Sequence, residues 1–252
     1  MFADSDLTDD AFLGGRLQLW QPTHGYRAAT DPVLLAAAVD ARTGQSVLDL
    51  GCGAGTASLC LGARVAGLAL TGLELQHDYA DLARRNAVRN SQSYDVVEGD
   101  IRRIPDILKR DFDHVMANPP YYASAGTPSP NNGRDLALRV NTPIADWVEC
   151  SARRLSPGGW YTMIMATDCV PEALTACAGI LGSVAILPLV ARVGQPGLRV
   201  ILQARKGGRR AFRLLAPFVL HGGDAHDSDR DSYTPVAKGI LRDGAALTAQ
   251  FR

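Results

Sequence analysis

Short apolar segments alternate with longer amphipathic segments along the middle of the chain. The apolar segments are hydrophobic throughout, which is typical of parallel strands that are covered on both faces. The longer segments have helical spacing, as in HDYADLARRNAVRN (77–90), where Leu82 faces inward and the arginines face outward. This alternation predicts an α/β fold, a mostly parallel sheet with helices on both faces. The predicted strands cover 46–50, 68–75, 94–100, 112–120 and 160–166, and the predicted helices cover 56–66, 77–90, 142–155 and about 171–181.

Two further apolar strands, near 184–190 and 198–204, complete a sheet of seven strands. Their connection, containing VGQPG, is too short for a crossover helix, so we expect the last strand to pair antiparallel. RKGGRR (205–210) then predicts a boundary, followed by a tail in which AFRLLAPFVLH reads as one strand. HGGDAH contains His221, Asp224 and His226, but its glycines favour a flexible surface over a metal site.

The amino-terminal segment has two parts with different patterns. Residues 1–12 are polar and acidic and predict a mobile leader, whereas LQLW predicts a short strand. DPVLLAAAV predicts a helix with Asp31 as its N-cap and Pro32 at its first position. We therefore divide the chain into an amino-terminal segment (1–42), a central domain (43–206) and a carboxyl-terminal extension (207–252) that packs on the same domain.

Composition narrows the function classes. Hydrophobic residues make up 46% and charged residues 21%, and the net charge is zero, so nucleic-acid binding requires a local basic patch. The five cysteines form no CxxC or Cys/His cluster, which predicts reduced thiols, no metal and a cytoplasmic location. The acidic amino terminus is not a signal peptide, and no apolar run approaches the roughly 20 residues of a membrane helix.

The sequence VLDLGCGAG (47–55) predicts a ligand-binding turn between a strand and a helix. Gly51, Gly53 and Gly55 allow a sharp turn and a close approach of a ligand to the backbone. The spacing is G-x-G-x-G rather than the G-x-G-x-x-G that places a pyrophosphate at a helix terminus, so it favours a phosphate-free nucleoside such as S-adenosylmethionine. Asp49 can bind the ligand's cationic amine or simply cap the loop, and Cys52 is a small filler that contacts the cofactor.

Two more acidic residues follow the next two strands. Glu74 ends the second strand and can accept both ribose hydroxyls, although singly it could also be an exposed strand end. Asp100 ends the third strand. In the usual layout of nucleoside-binding folds of this kind, it would lie beside adenine and accept from its amino group, with the Ile101 backbone N–H as a donor. Three acids at successive strand ends, together with the glycine loop, favour a nucleoside cofactor.

The string NPPY follows the fourth strand and carries the candidate chemistry. Pro119 and Pro120 fix the backbone and remove two N–H donors. The side-chain carbonyl of Asn118 and the backbone carbonyl of Pro119 can accept both hydrogens of an amino group, and Tyr121 can stack on a planar substrate. The simpler reading is a turn that ends the strand. After a glycine loop of this kind, the string favours N-methylation without a general base.

These motifs resemble the N6-adenine and N5-glutamine branch of the class I, Rossmann-like methyltransferases. Gln21 and the Thr-Asp-x-x-Leu-Leu segment at 30–35 further resemble the bacterial tRNA adenine-N6 methyltransferase family, which modifies an adenine beside the anticodon of a valine tRNA. The resemblance covers about residues 13–206. It implies an S-adenosylmethionine cofactor and a tRNA as the RNA partner. It also implies that the segment upstream of the glycine loop folds over the cofactor, with Arg27, Thr30 and Asp31 near it.

One segment departs from the family. Members often have Ala-Arg-His-Glu after the NPPY loop, whereas this chain has DLALRVNTP and keeps only Arg139. The loop SAGTPSPNNGRD (124–135) lies between them, and we expect Arg134 and Arg139 to contact substrate phosphates, although a solvated loop arginine fits equally well.

Other functions remain open at this stage. Within methyltransferases, the substrate can instead be an rRNA guanine N2, a DNA adenine or a protein glutamine amide. Outside them, the glycine spacing and NPPY argue against an NAD-dependent oxidoreductase. A non-catalytic module that binds S-adenosylmethionine or RNA is the remaining alternative.

Overall fold

The computed structural model describes residues 1–120, 142–223 and 232–252. The strands are β1 (Leu7–Phe12), β2 (Leu17–Pro22), β3 (Ser46–Leu50), β4 (Ala69–Glu74), β5 (Tyr94–Glu98), β6 (Phe112–Ala117), β7 (Leu155–Ala166), β8 (Gly182–Val190), β9 (Arg199–Arg205), β10 (Arg213–Leu214) and β11 (Phe218–Val219). The helices are α1 (Thr30–Ala38), α2 (Thr56–Arg64), α3 (His77–Arg89), α4 (Ile144–Arg154), α5 (Val170–Cys177) and α6 (Pro235–Asp243). None of the described helices is long and apolar enough to cross a membrane.

The main sheet confirms the predicted class I methyltransferase fold. Its strand order is β10-β8-β9-β7-β6-β3-β4-β5, and β11 also pairs with β8. Only β9 runs antiparallel to its neighbours β7 and β8, which confirms the predicted hairpin and antiparallel last strand. β3 to β9 are the seven predicted strands, and the short β10 and β11 extend the sheet beyond β8.

The strand order reverses at β3, which has β4 on one side and β6 on the other. Parallel α/β sheets bind ligands at the carboxyl ends of the strands where the order reverses, because the loops after the two central strands leave in opposite directions. The loop after β3 contains the glycine turn and the segment after β6 begins with Asn118. The topology therefore brings both predicted motifs to one edge.

Separate hydrophobic clusters cover the two faces of the sheet. One cluster contains the buried residues of α1, α2 and α6, and Leu34 and Leu59 are typical members. The other contains those of α4 and α5, including Trp147 and Ala173. Helices on both faces explain why the central strands are hydrophobic throughout.

The prediction of a mobile leader over residues 1–12 is wrong, because this segment forms a hairpin. β1 pairs antiparallel with β2, from Leu7 opposite Pro22 to Phe12 opposite Leu17. The acidic side chains that suggested a solvated leader are held by α3: Asp9 bonds to the guanidinium of Arg89. The strand predicted at LQLW is confirmed and extends to Pro22.

The tail also differs from its prediction as one strand. β10 and β11 pair with β8 at separate places and are divided by three residues that include Pro217, which has no N–H to donate to the ladder. α6 packs beside α1, and the Leu247 N–H donates to the Ala37 carbonyl at 2.8 Å. In HGGDAH, His221 stacks on Tyr233, whereas the other two predicted candidates lie outside the described residues.

Candidate active site

A cleft opens at the carboxyl edge of the sheet, between the ends of β3, β4, β5 and β6 and the start of α4. It encloses about 910 Å³, counting the space open to solvent. The cleft brings together residues that are far apart in sequence but were predicted to share one site. Those that line it are Asp49, Gly51, Cys52, Gly53, Glu74, Asp100, Ile101, Asn118 and Pro120.

The glycine loop passes between aromatic side chains. Gly51 has φ of +65°, and a Cβ at that position would lie 2.7 Å from Cη2 of Trp147. A Cβ at Gly55, which has φ of +86°, would lie 3.1 Å from Cε1 of Tyr94 and 3.3 Å from Cβ of Ala83 in α3. Gly55 does not line the cleft, and it precedes the first residue of α2. The two glycines are thus required both by the turn and by the side chains packed against it.

Asp49 is an acidic group buried beneath this loop. Its side chain is 2% exposed, and its Oδ2 accepts a hydrogen bond from Ser58 Oγ at 2.8 Å. Burial raises the pKa of Asp49 to about 7; the Ser58 hydrogen bond opposes this rise and the charge of Glu74 adds to it. Burial, with the nearby carboxylates, also raises the pKa of the Cys52 thiol, so Cys52 stays protonated.

The carboxylate of Glu74 fixes the loop to the next strand. Its Oε2 accepts the backbone N–H of Gly53 at 2.8 Å, and its Oε1 accepts that of Gln76 at 2.9 Å. The loop-capping role considered for Asp49 therefore belongs to Glu74, which also lines the cleft. At the next strand end, Asp100 forms an ion pair with Arg102 at 2.8 Å, and this hydrogen bonding lowers the pKa of Asp100.

Tyr26 links the amino-terminal segment to Asn118. Asn118 Nδ2 donates to Tyr26 Oη at 3.1 Å, and Tyr79 Oη donates to the backbone carbonyl of Tyr26 at 3.0 Å. The buried amide of Gln21 holds the same segment, because it accepts the N–H of Ala28 and donates to its carbonyl. Tyr26 is therefore anchored beside the NPP turn.

Sequence reasoning missed Tyr26, Thr56 and Trp147, all of which line the cleft. Tyr26 stands in the same upstream segment as Arg27, so its neighbourhood was marked but not the residue. Trp147 is an inward-facing residue of a predicted helix, which by itself indicates only core packing. Thr56 follows the glycine loop directly and begins α2.

Four predicted cofactor contacts do not line the cleft. Arg27 forms an ion pair with Asp10 at 2.6 Å, which neutralises both groups away from the cleft. Thr30 begins α1, and Asp31 makes no N-cap hydrogen bond but lies 3.3 Å from Arg199. Burial raises the pKa of Asp31, and the Arg199 charge opposes this rise. Gly55 is the fourth predicted cofactor contact that does not line the cleft.

Pro119 does not line the cleft either, although its neighbours on both sides do. Three other predicted residues, Tyr121, Arg134 and Arg139, lie outside the described residues.

Comparisons with known proteins agree on one kind of enzyme. The family model described as the methyltransferase small domain matches residues 29–168. A tRNA1(Val) (adenine(37)-N6)-methyltransferase from Glaesserella parasuis is 33% identical over 177 residues, covering 69% of this chain and 74% of the relative. The enzyme of that name from Haemophilus influenzae is 27% identical over 184 residues, covering 71% of this chain and 78% of the relative.

Solved structures share the fold. A predicted O-methyltransferase from Agrobacterium tumefaciens superposes with a TM-score of 0.69 at 26% identity, covering 86% of this chain and 98% of that one. The 16S rRNA N2 G1207 methyltransferase of Thermus thermophilus, in complex with AdoMet and guanosine, gives a TM-score of 0.59 at 18% identity. That match covers 79% of this chain and 50% of the other.

Proposed function

Since the chain belongs to the methyltransferase small-domain family and S-adenosylmethionine is its cofactor, we propose that it methylates the N6 amino group of an adenine in tRNA, near the anticodon. The observation that carries this proposal is the position of Asn118. It follows β6 and lines the same cleft as the glycine loop, so an amide oxygen and the cofactor site share one space.

The residues of the cleft fit S-adenosylmethionine. Asp49 is a buried carboxylate that forms no ion pair within the described residues, and a cationic ligand would favour its ionised form. The buried Thr56 Oγ1 has no hydrogen-bond partner within the described residues, and Thr56 lines the cleft. Asp49, Glu74 and Asp100 would hold the amine, the ribose and the adenine, as their order along the strand ends suggests.

Asn118 and the prolines would bind and orient the substrate amine. The side-chain oxygen of Asn118 would accept one of its two hydrogens, and the backbone carbonyl of Pro119, the next residue, which does not itself line the cleft, would accept the other. The two acceptors would direct the nitrogen lone pair away from them. The bound cofactor supplies an electrophilic methyl group on a sulfonium. The nitrogen becomes positively charged as it reacts, so two fixed carbonyl dipoles stabilise the transition state, and the surplus proton leaves afterwards to solvent.

Tyr26 would set the orientation of the Asn118 amide. Because Asn118 Nδ2 donates to Tyr26 Oη, the amide nitrogen is engaged and Oδ1 is directed to the other side. An amide rotated by 180° would present N–H groups to the substrate amine, which repel its hydrogens. In this account Tyr26 is a positioning residue that acts through Asn118.

The choice of tRNA adenine over other acceptors is supported by the relatives. The enzymes named as tRNA1(Val) adenine-N6 methyltransferases align over about 70% of this chain. Flipping a stacked, paired base out of a helix costs a few kcal/mol. An unstacked adenine in a loop avoids much of that cost when it enters a cleft of this kind.

The test presents three acceptors to the purified protein with methyl-labelled S-adenosylmethionine: tRNA from a strain that lacks this gene, unmodified rRNA, and a release factor. We expect label in tRNA alone. Label in the release factor or only in rRNA would reject the tRNA adenine and keep the methyltransferase chemistry.

A further inference from the structure

A second cleft lies beside the cofactor cleft, between the segment that follows β5 and the end of α4. Five of its lining side chains are cationic, and none is acidic: Arg102, Arg103, Lys109, Arg153 and Arg154. The remaining lining residues are Ile101, Ile104 and Cys150. We name this surface the basic cleft, and we propose that it binds the phosphate backbone of the RNA substrate. The proposal rests on the function proposed above and deepens it.

The concentration of charge is local. The chain has 26 basic and 26 acidic residues, so a cleft of five cations is not a consequence of a generally basic protein. A neutral protein that binds RNA needs such a patch, because phosphate contacts supply most of the affinity that does not depend on sequence. Four of the five cations are arginines, whose planar fork matches two phosphate oxygens.

The cationic groups remain available to a ligand. Arg103 is exposed and forms no ion pair within the part of the chain that the structure describes. Lys109 pairs with Asp106 at 2.6 Å and Arg153 with Glu149 at 2.6 Å, but both cationic side chains are more than half exposed. Exposed ion pairs of this kind contribute little to stability. Phosphates can therefore replace the carboxylates at little cost.

The basic cleft adjoins the cofactor cleft. Ile101 lines both, and Arg102, which lines the basic cleft, bonds to the carboxylate of Asp100, which lines the cofactor cleft. An RNA strand held along the basic cleft therefore passes the wall of the cofactor cleft. Ile101 and Ile104 add apolar surface for a sugar or base between the phosphates.

The test compares two triple variants that each remove three positive charges. The cleft variant is Arg103→Gln, Lys109→Gln and Arg153→Gln; it spares Arg102 and Arg154, which bond to Asp100 and to the Leu108 carbonyl. The control variant carries three exposed arginines changed to glutamine near the amino ends of the parallel strands, on the opposite edge of the sheet: Arg42, Arg209 and Arg210.

Both variants and the wild type are titrated with tRNA transcript at several salt concentrations, and with S-adenosylmethionine. We expect the cleft variant to bind tRNA at least tenfold more weakly than the control, with cofactor affinity within twofold of wild type. Three lost phosphate contacts at roughly 0.7 each should also reduce the slope of log affinity against log salt by about 2.

Equal tRNA affinity and salt slope in the two variants would overturn the basic-cleft proposal, and wild-type methylation of tRNA would leave the proposed function standing. If the wild type methylates no RNA, the proposed function fails, whereas the binding comparison still decides the cleft. A polyglutamate peptide that binds the wild type more tightly than tRNA does, and loses affinity only in the cleft variant, would assign the cleft to an acidic protein and overturn the RNA assignment.

Discussion

At the residue scale, the charge state of Asp49 should control cofactor binding. Burial raises its pKa from 3.8 to about 7, so the carboxyl is mostly protonated below pH 7. Because the folded pKa lies above the unfolded one, the contribution of Asp49 to the free energy of unfolding of the ligand-free protein falls as pH rises from about 4 to 7. A cationic ligand reverses this preference, because it needs the ionised form.

We therefore expect S-adenosylmethionine to bind about fivefold more weakly at pH 6 than at pH 7. With a pKa near 7, the ionised fraction of the carboxyl falls by about that factor between the two pH values. Calorimetry of wild type and Asp49→Asn at both pH values measures it. The variant should bind more weakly but show no such trend. Wild-type affinity that is equal at pH 6 and pH 7 would contradict a role for Asp49 in cofactor binding.

The hydroxyl of Tyr26 should affect catalysis more than binding. Tyr26→Phe keeps the ring and removes the partner of Asn118 Nδ2. We expect kcat to fall about tenfold, the equivalent of one hydrogen bond of about 1.4 kcal/mol, with KM and cofactor affinity within twofold. Steady-state kinetics with a saturating cofactor separates the two constants.

A double-mutant cycle distinguishes positioning from a structural role. In an Asn118→Ala background, Tyr26→Phe should have no further effect on kcat, because the group it orients is gone. Tyr79→Phe, which removes the hydrogen bond to the Tyr26 carbonyl, is the stability control. Additive losses in the double variant would show that Tyr26 acts independently of Asn118.

At the element scale, two asparagines attach the amino-terminal hairpin to α3. The Asn86 side chain accepts the N–H of Trp20 and donates to the Trp20 carbonyl, and the Asn90 side chain does the same with the N–H and carbonyl of Gln18. Asn86 and Asn90 are four residues apart and face the same side of the helix, and Gln18 and Trp20 are two apart along one edge of the strand. The two side-chain amides therefore make the hydrogen bonds that a neighbouring strand would make. Asn86 also donates to the Ala54 carbonyl in the glycine loop.

Asn86→Ala should destabilise the protein more than Asn90→Ala. The first leaves three backbone groups without a partner at a fully buried position, which should cost about 2–4 kcal/mol. The second removes bonds at a partly exposed position and should cost about 1 kcal/mol. Urea unfolding of the two variants measures the difference. Equal losses in the two variants would contradict the larger contribution assigned to the buried Asn86 and its bond to the glycine loop.

The elements that could be predicted from sequence are those whose signal is local. The central strands and helices follow from hydrophobic period, and the glycine turn follows from residue type. The β1–β2 hairpin could not be predicted, since its acidic residues look solvated until Arg85 and Arg89, some 80 residues later, are placed against Asp4 and Asp9.

The site divides in the same way. That Asp49 and Glu74 line one cleft could be predicted, because the carboxyl ends of parallel strands lie at one edge of the sheet. Tyr26 and Trp147 were missed because only tertiary packing brings them to the loop. The same packing takes Arg27 out of the cleft, through its ion pair with Asp10.

At the scale of the whole molecule, the protein combines a net charge of zero with two adjoining clefts. One contains the glycine loop and the NPP turn, and the other contains five cations. Since the net charge is zero, the protein would attract RNA only weakly over long distances, and the proposed RNA substrate would be positioned by contacts made at short range. Binding should accordingly depend on salt through a few phosphate contacts.

The identity of the methylated nucleoside decides whether this protein methylates the N6 amino group of adenine. Wild type and Asn118→Ala are incubated with S-adenosylmethionine and tRNA from the strain that lacks this gene, and the digested tRNA is analysed by mass spectrometry. We expect N6-methyladenosine with wild type and at least a hundredfold less with the variant, because removing one hydrogen-bonding group from the transition state costs a factor of this size. Another methylated nucleoside, or equal N6-methyladenosine with both proteins, would contradict this prediction.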